Sequence, residues 1–179
     1  DKSKNYHSFE IGQEEERAMK SIELASNDKN VALVCSGDPG IYAMASIVFE
    51  MIEFGPDQWK NIEIITAPGI SAVQAAAARV GAPIGNDFCT ISLSDLMTTQ
   101  QVILNRVKAA AEADFIIALY NPSSKLRKTL IKKALNIIRD HRKKETPIVI
   151  AHSVGRKDEK IEFTTISDIE TDTIDMMTL

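Results

Sequence analysis

Residues 31–42, Val-Ala-Leu-Val-Cys-Ser-Gly-Asp-Pro-Gly-Ile-Tyr, decide how the rest of the chain is read. Val31 to Cys35 is a short apolar run of the kind that forms a strand buried on both faces. Ser36-Gly37-Asp38-Pro39-Gly40 ends it, because glycine and proline cannot simply continue a ladder. A helical pattern follows, with Met44, Ile47, Val48, Met51 and Ile52 on one face and Gly55 closing it. Strand, glycine-bearing loop, helix is the repeating unit of an α/β fold.

The pattern extends in both directions. Upstream, Gln13 to Ser26 reads as a helix that opens with Glu14, Glu15 and Glu16, acids suited to a helix N-terminus. Downstream, Ile62 to Thr66 reads as a strand. Ser71 and Gln74 then form a candidate capping box for a helix that stops at Gly81. A second series begins near Asp87: a strand over Cys89 to Leu93, a helix over Gln100 to Ala113, and a strand over Phe115 to Tyr120. Ser123 or Ser124 can cap a helix carrying Leu126, Leu130, Ala134 and Ile137 inward. Pro147 to Ala151 and Ile161 to Thr165 complete the strands. The alternation predicts a mostly parallel sheet covered on both faces. The break near Ile84 to Asp87 predicts two α/β domains, 1–85 and 86–179.

Composition excludes several classes. With 21 basic against 25 acidic side chains the net charge is -4, too little positive charge for a general nucleic-acid binder. The longest apolar run, Phe115 to Tyr120, is six residues, far short of the roughly 20 a membrane helix needs. No basic-then-apolar leader opens the chain, and Cys35 and Cys89, each beside an apolar run, read as buried thiols of a reducing compartment; a cytoplasmic location is expected. The chain opens on Asp1 and its last strand-like signal is cut at Leu179, so an internal stretch of a longer protein is expected.

Ligands of open parallel sheets bind beyond the carboxyl ends of the strands. The unusual residues fall there: 36–40 after the first strand, 68–72 after the second, 92–95 after the third, 120–123 after the fourth and 151–153 after the fifth. Glycine admits close backbone approach, and free N–H groups at a helix start bind polar ligand atoms. Each loop alone is ordinary punctuation; five on one sheet edge predict a binding cleft. No phosphate loop, dinucleotide fingerprint or Gly-x-Ser-x-Gly elbow is present. His7, His141 and His152 are too scattered for a metal site, and His152 alone ends a strand. Residues 125–144 carry nine of the 21 basic residues, either a solvated helix face or a field that attracts a polyanionic substrate.

In this order the loops resemble the tetrapyrrole methylases that build the corrin ring. The matching stretches are 31–42, Ala67-Pro-Gly-Ile-Ser-Ala72, Gly81-Ala-Pro83, Asp87-Phe-Cys-Thr-Ile-Ser-Leu-Ser-Asp95, Ala118-Leu-Tyr-Asn-Pro-Ser123, Gly155-Arg156 and Asp175-Met176. Ile91 to Asp95 with Tyr120-Asn-Pro122 points to the branch that methylates C17 of precorrin-3B, or of its cobalt-carrying counterpart, with ring contraction. The resemblance implies two α/β domains with S-adenosylmethionine held folded in the cleft between them, and a homodimer. It places Ser36, Gly37, Asp38, Ile41, Ser71 and Ala72 on the cofactor from the first domain, and Tyr120, Asn121, Ala151 and Thr165 from the second. A carboxylate at Asp38 would accept hydrogen bonds from the cofactor and favour its positive charge.

Three departures stand out: no Gly-Pro-Gly strand precedes Asp1, no strand follows Asp175-Met176, and Thr99-Gln100 replaces a frequent Pro-Trp. Methyl transfer from a sulfonium gains most from alignment and needs no protein nucleophile. A general base can still assist loss of a proton from the tetrapyrrole. Asp95, at a strand end, is the first candidate, although it also fits a cap on the next helix; His152 is the second. The rival expectations are methylation at another ring position and a non-catalytic ligand-binding module.

Overall fold

The computed structural model describes residues 4–123 and 129–179 as a mixed α/β protein with five α-helices and four strands among them. Two compact units divide the chain, residues 1–71 and 72–179. The helix after Ser71 and the segment to residue 85 thus cluster with the second unit.

In the first unit, α1 (Glu14–Ala25) and α2 (Met44–Phe54) follow the expected periodicity. Ala18 and Ile22 of α1 meet Met44 and Val48 of α2 in a small core, with Leu33, Cys35, Trp59, Ile62 and Ile64 packed against it. Gly55 does close α2, for a reason other than a left-handed turn. Its φ is -88°, and a Cβ there would lie 2.3 Å from the Trp59 ring, so the position is glycine for space.

The expected strands Val31–Cys35 and Ile62–Thr66 are a correction. Among the described residues neither run pairs in a ladder, and Val34 and Ile65 are 79% and 85% exposed. An apolar run becomes a strand only where a neighbour takes up its N–H and C=O groups. Both runs instead line an apolar cavity of about 530 Å³ with α1 and α2.

The second unit contains α3 (Ala72–Arg79), β1 (Phe88–Ser92), α4 (Gln100–Glu112), β2 (Ile116–Tyr120), α5 (Leu130–His141), β3 (Pro147–His152) and β4 (Lys160–Thr165). β1 and β2 are parallel, Phe88 opposite Ile116 and Ser92 opposite Tyr120, joined through the crossover helix α4. β3 and β4 are antiparallel, from Pro147 opposite Thr165 to His152 opposite Lys160. The expected mostly parallel sheet is therefore one parallel and one antiparallel pair among the described residues. The cause is loop length: residues 153–159 are too few for a parallel crossover, which takes a dozen or more. Beyond β4 the chain returns, and Ala151 and Leu179 exchange two backbone hydrogen bonds of 2.9 Å.

The core of this unit joins Ile91 and Leu93 to Ile103 and Val107 of α4 and to Leu130, Ile131, Ala134 and Leu135 of α5. Ser124 and Leu126, expected at the start of that last helix, lie outside the described residues. Two of its cations are structural: Arg139 donates to the Ile166 carbonyl and Arg142 to the Phe115 carbonyl, each at 3.0 Å. Cys35 and Cys89 are free and half-buried rather than buried, and burial pushes the Cys89 thiol up. No helix among the described residues is long and apolar enough to cross a membrane.

Candidate functional site

In the first unit, loops 36–40 and 67–71 are brought together by Asp38. Its Oδ1 accepts from the Gly40 N–H at 2.8 Å and its Oδ2 from the Gly69 N–H at 3.0 Å. These bonds, that from Gly69 foremost and then that from Gly40, hold the carboxyl below its usual pKa. An ionised carboxylate is thus fixed between two backbone bends. The bends touch so closely that a Cβ on Gly69 would stand 2.2 Å from the Gly37 carbonyl oxygen. Gly37 itself has φ of +76°, a conformation glycine adopts without steric cost. Ser36 is exposed, Ile41 is half-buried with its N–H on the Asp38 carbonyl at 3.2 Å, and Ser71 is buried.

In the second unit, the ends of β1 and β2 form another group. Asn121, at φ of +51°, donates through Nδ2 to Ser92 Oγ at 3.0 Å, and Ser94 N–H donates to the same oxygen at 3.2 Å. Tyr120 reaches to α3, where Ala72 is the first residue: its hydroxyl oxygen accepts from the Val73 N–H at 2.9 Å. That N–H is one of the donors a helix start leaves without an intrahelical partner. Ser92, which the sequence does not single out, organises the Asn121 side chain; its position opposite Tyr120 is visible only in the register.

Asp95 does not supply the N-cap of α4. Thr99 does, its hydroxyl accepting from Val102 N–H at 3.5 Å. Asp95 Oδ2 instead accepts from Gln100 Nε2 at 2.8 Å, and Gln100 Oε1 accepts from Lys133 Nζ at 3.2 Å. The Thr99-Gln100 pair thus has two local tasks, a cap and a bridge from Asp95 to α5.

At the end of β3, Ala151 is buried with its backbone engaged by Leu179. His152 Nε2 lies 3.4 Å from Asp175 Oδ2. Ser153, buried and at φ of +49°, donates to Asp158 Oδ2 at 2.9 Å, which lowers the Asp158 pKa. Thr165 is not beside Ala151. It pairs with Pro147, four ladder positions away, roughly 13 Å at the usual rise per residue. Its hydroxyl lies instead 2.8 Å from Ser167 Oγ and donates to Asp168 Oδ2, also at 2.8 Å. Asp175 is 23 positions from His152, and no local spacing signals the pairing. Among the described residues, no group of three or more His, Cys, Asp or Glu side chains is placed to hold a metal ion.

Comparison with known proteins adds to this geometry. The family described as Tetrapyrrole (Corrin/Porphyrin) Methylases matches residues 1–170. The chain is 41% identical over 166 residues to a precorrin-3B C(17)-methyltransferase of Sinorhizobium sp, covering 93% of this chain and 65% of that protein. It is 43% identical over 164 residues to a probable cobalt-factor III C(17)-methyltransferase of Salmonella typhimurium, covering 92% and 67%. The chain therefore spans about two thirds of the length of these relatives. Among solved structures, the methyltransferase CobJ superposes with a TM-score of 0.87 at 39% identity, covering 92% of this chain and 69% of that one. The cobalt precorrin-4 methyltransferase CbiF, at a TM-score of 0.60 and 23% identity, shares the fold.

Proposed function

Because the chain belongs to the tetrapyrrole (corrin/porphyrin) methylase family, we propose that its protein transfers a methyl group from S-adenosylmethionine to C17 of precorrin-3B or its cobalt-carrying counterpart, with ring contraction, in cobalamin biosynthesis. The observation that carries this reading is the Asp38 carboxylate held ionised between two glycine bends. A fixed negative charge beside close-packed backbone suits a small cationic ligand with polar edges. S-adenosylmethionine, when bound, supplies an electrophilic methyl group on a sulfonium.

The chain's own residues then bind and orient. In this proposal Ser36, Gly37, Asp38, Ile41, Ser71 and Ala72 hold the donor from one domain, and Tyr120, Asn121, Ala151 and Thr165 from the other. The division into domains 1–85 and 86–179 with the donor between them, homodimer assembly and a cytoplasmic location belong to the same proposal, as does Thr165, and rest on the family resemblance. Alignment is the main contribution expected, since no protein nucleophile is needed. Asp95 and His152 are the candidates for taking a proton from the tetrapyrrole. In the cobalt-carrying substrate the macrocycle itself holds the metal, so the protein needs no ligand set for it.

The test is an assay of the full-length protein with isotope-labelled methyl donor and both metal-free and cobalt-loaded substrate. NMR of the product should place the label at C17. Label at another ring carbon would transfer the assignment to a different reaction of the family. Asp38→Ala should weaken S-adenosylmethionine binding in calorimetry, and unchanged affinity would remove the charge argument.

A further inference from the structure

Asp175 and His152 form a pair whose geometry sets the chemistry of the imidazole. Asp175 Oδ1 is already occupied, accepting from the Met177 N–H and from the Thr178 hydroxyl, both at 2.9 Å. That pins the carboxylate and leaves Oδ2 directed at His152 Nε2, 3.4 Å away. An ionised carboxylate can only accept, so the ring nitrogen facing it must carry the proton. In the neutral imidazole the other nitrogen, Nδ1, is then the acceptor, and among the described residues it has no hydrogen-bond partner. The ring is partly open to solvent, with its side chain 29% exposed.

We propose that Asp175 is a positioning residue that locks His152 as its Nε2–H tautomer, so that Nδ1 serves as the general base of the methyl transfer. This rests on the methyltransferase reading above. The proton leaves the tetrapyrrole for Nδ1, and the electron pair of the broken bond stays on the macrocycle. The resulting imidazolium is stabilised by Asp175 and then releases its proton to water. The charged groups near the ring are Asp175 from the C-terminal segment and Asp158 from the β3–β4 loop, which Arg156 also influences, and Lys160 is its ladder partner on β4. Of these groups, Asp175 alone is in hydrogen-bonding reach of Nε2.

The experiment uses full-length protein with ¹⁵N-labelled histidine. In the wild type, the neutral ring should show the chemical shifts of a protonated Nε2 and a bare Nδ1. Asp175→Asn keeps an amide oxygen for Met177 and Thr178 but presents an NH₂ donor to Nε2, which reverses the tautomer. The same variant should lose about 100-fold in kcat, at the lower end of what a general base contributes, with S-adenosylmethionine affinity unchanged. A wild-type ring protonated at Nδ1 overturns the proposal, whether or not the variant folds. So does a variant that reverses the tautomer and keeps kcat within about twofold, since a base of this kind is worth far more. A wild type with the expected tautomer that transfers no methyl group overturns the base role together with the function proposed above, while the Asp175 lock stands.

Discussion

Asp38 Oδ2 accepts a hydrogen bond from Gly69 N–H at 3.0 Å, across 31 positions of sequence. The bond ties two loops that the sequence presents as separate turns. It also changes the meaning of the Gly-Asp-Pro motif: the aspartate builds the bend before it can act on anything bound there. Both of its oxygens serve backbone donors, so structure and charge are delivered by the same group.

Gly69→Ala should separate those loops. The added Cβ would meet a backbone oxygen at 2.2 Å, which no side-chain rotation can relieve. A cost of about 1–3 kcal/mol is expected from such overpacking. Urea unfolding should show a lower midpoint, and calorimetry a weakened affinity for S-adenosylmethionine. Wild-type values for both would mean the close approach is unimportant.

Acid should loosen the same contact. The Asp38 pKa is lowered in the folded chain, by Gly69 first and Gly40 second. A depressed carboxyl contributes stability that is fully present above its unfolded value, near 3.9, and is lost as pH falls through the lower folded value. Glu159, held by Arg79 and then by the Gly155 N–H, moves in the same direction. Hydrogen exchange of the Gly69 amide should therefore accelerate, relative to its intrinsic rate, only below about pH 4. In Asp38→Asn that step should vanish; its persistence would assign it to another group.

Tyr120→Phe removes the acceptor for the Val73 N–H and leaves a helix-start donor without its partner. The expected cost is about 1 kcal/mol, since the site is only partly buried. Denaturant titration should show a reduced midpoint with an unchanged slope.

Ile103 of α4 is fully buried in the core, whereas Phe163 on β4 is 69% exposed. Ile103→Ala should cost about 2–5 kcal/mol, and Phe163→Ala about 0.5 kcal/mol or less. Equal losses in chemical denaturation would contradict the placement of the core.

The helices were legible because their signal is local. Ala18 and Ile22 in α1, Met44 and Val48 in α2, and Ile103, Val107 and Ala110 in α4 recur at helical spacing and are all buried. The strands were legible only as apolar runs. Val31–Cys35 and Pro147–Ala151 look alike in sequence, yet only the second lies in a ladder. A strand depends on a partner from any part of the chain, so its own residues cannot announce it.

The loops divide in the same way. Gly37, Asp38 and Gly69 stood out as turn chemistry, and the family motifs ordered them. That Asp38 bonds Gly69, that Asp175 faces His152, and that Thr165 sits opposite Pro147 follow from tertiary packing.

The sequence by itself determined the α/β class, the helices and the succession of glycine-bearing bends, because periodicity and turn chemistry act between near neighbours. Only the tertiary structure decided which bends meet, which runs pair and which nitrogen of His152 faces a carboxylate. Those outcomes depend on hydrogen bonds of about 3 Å between residues tens of positions apart, and so small a distance is set by the whole packed chain.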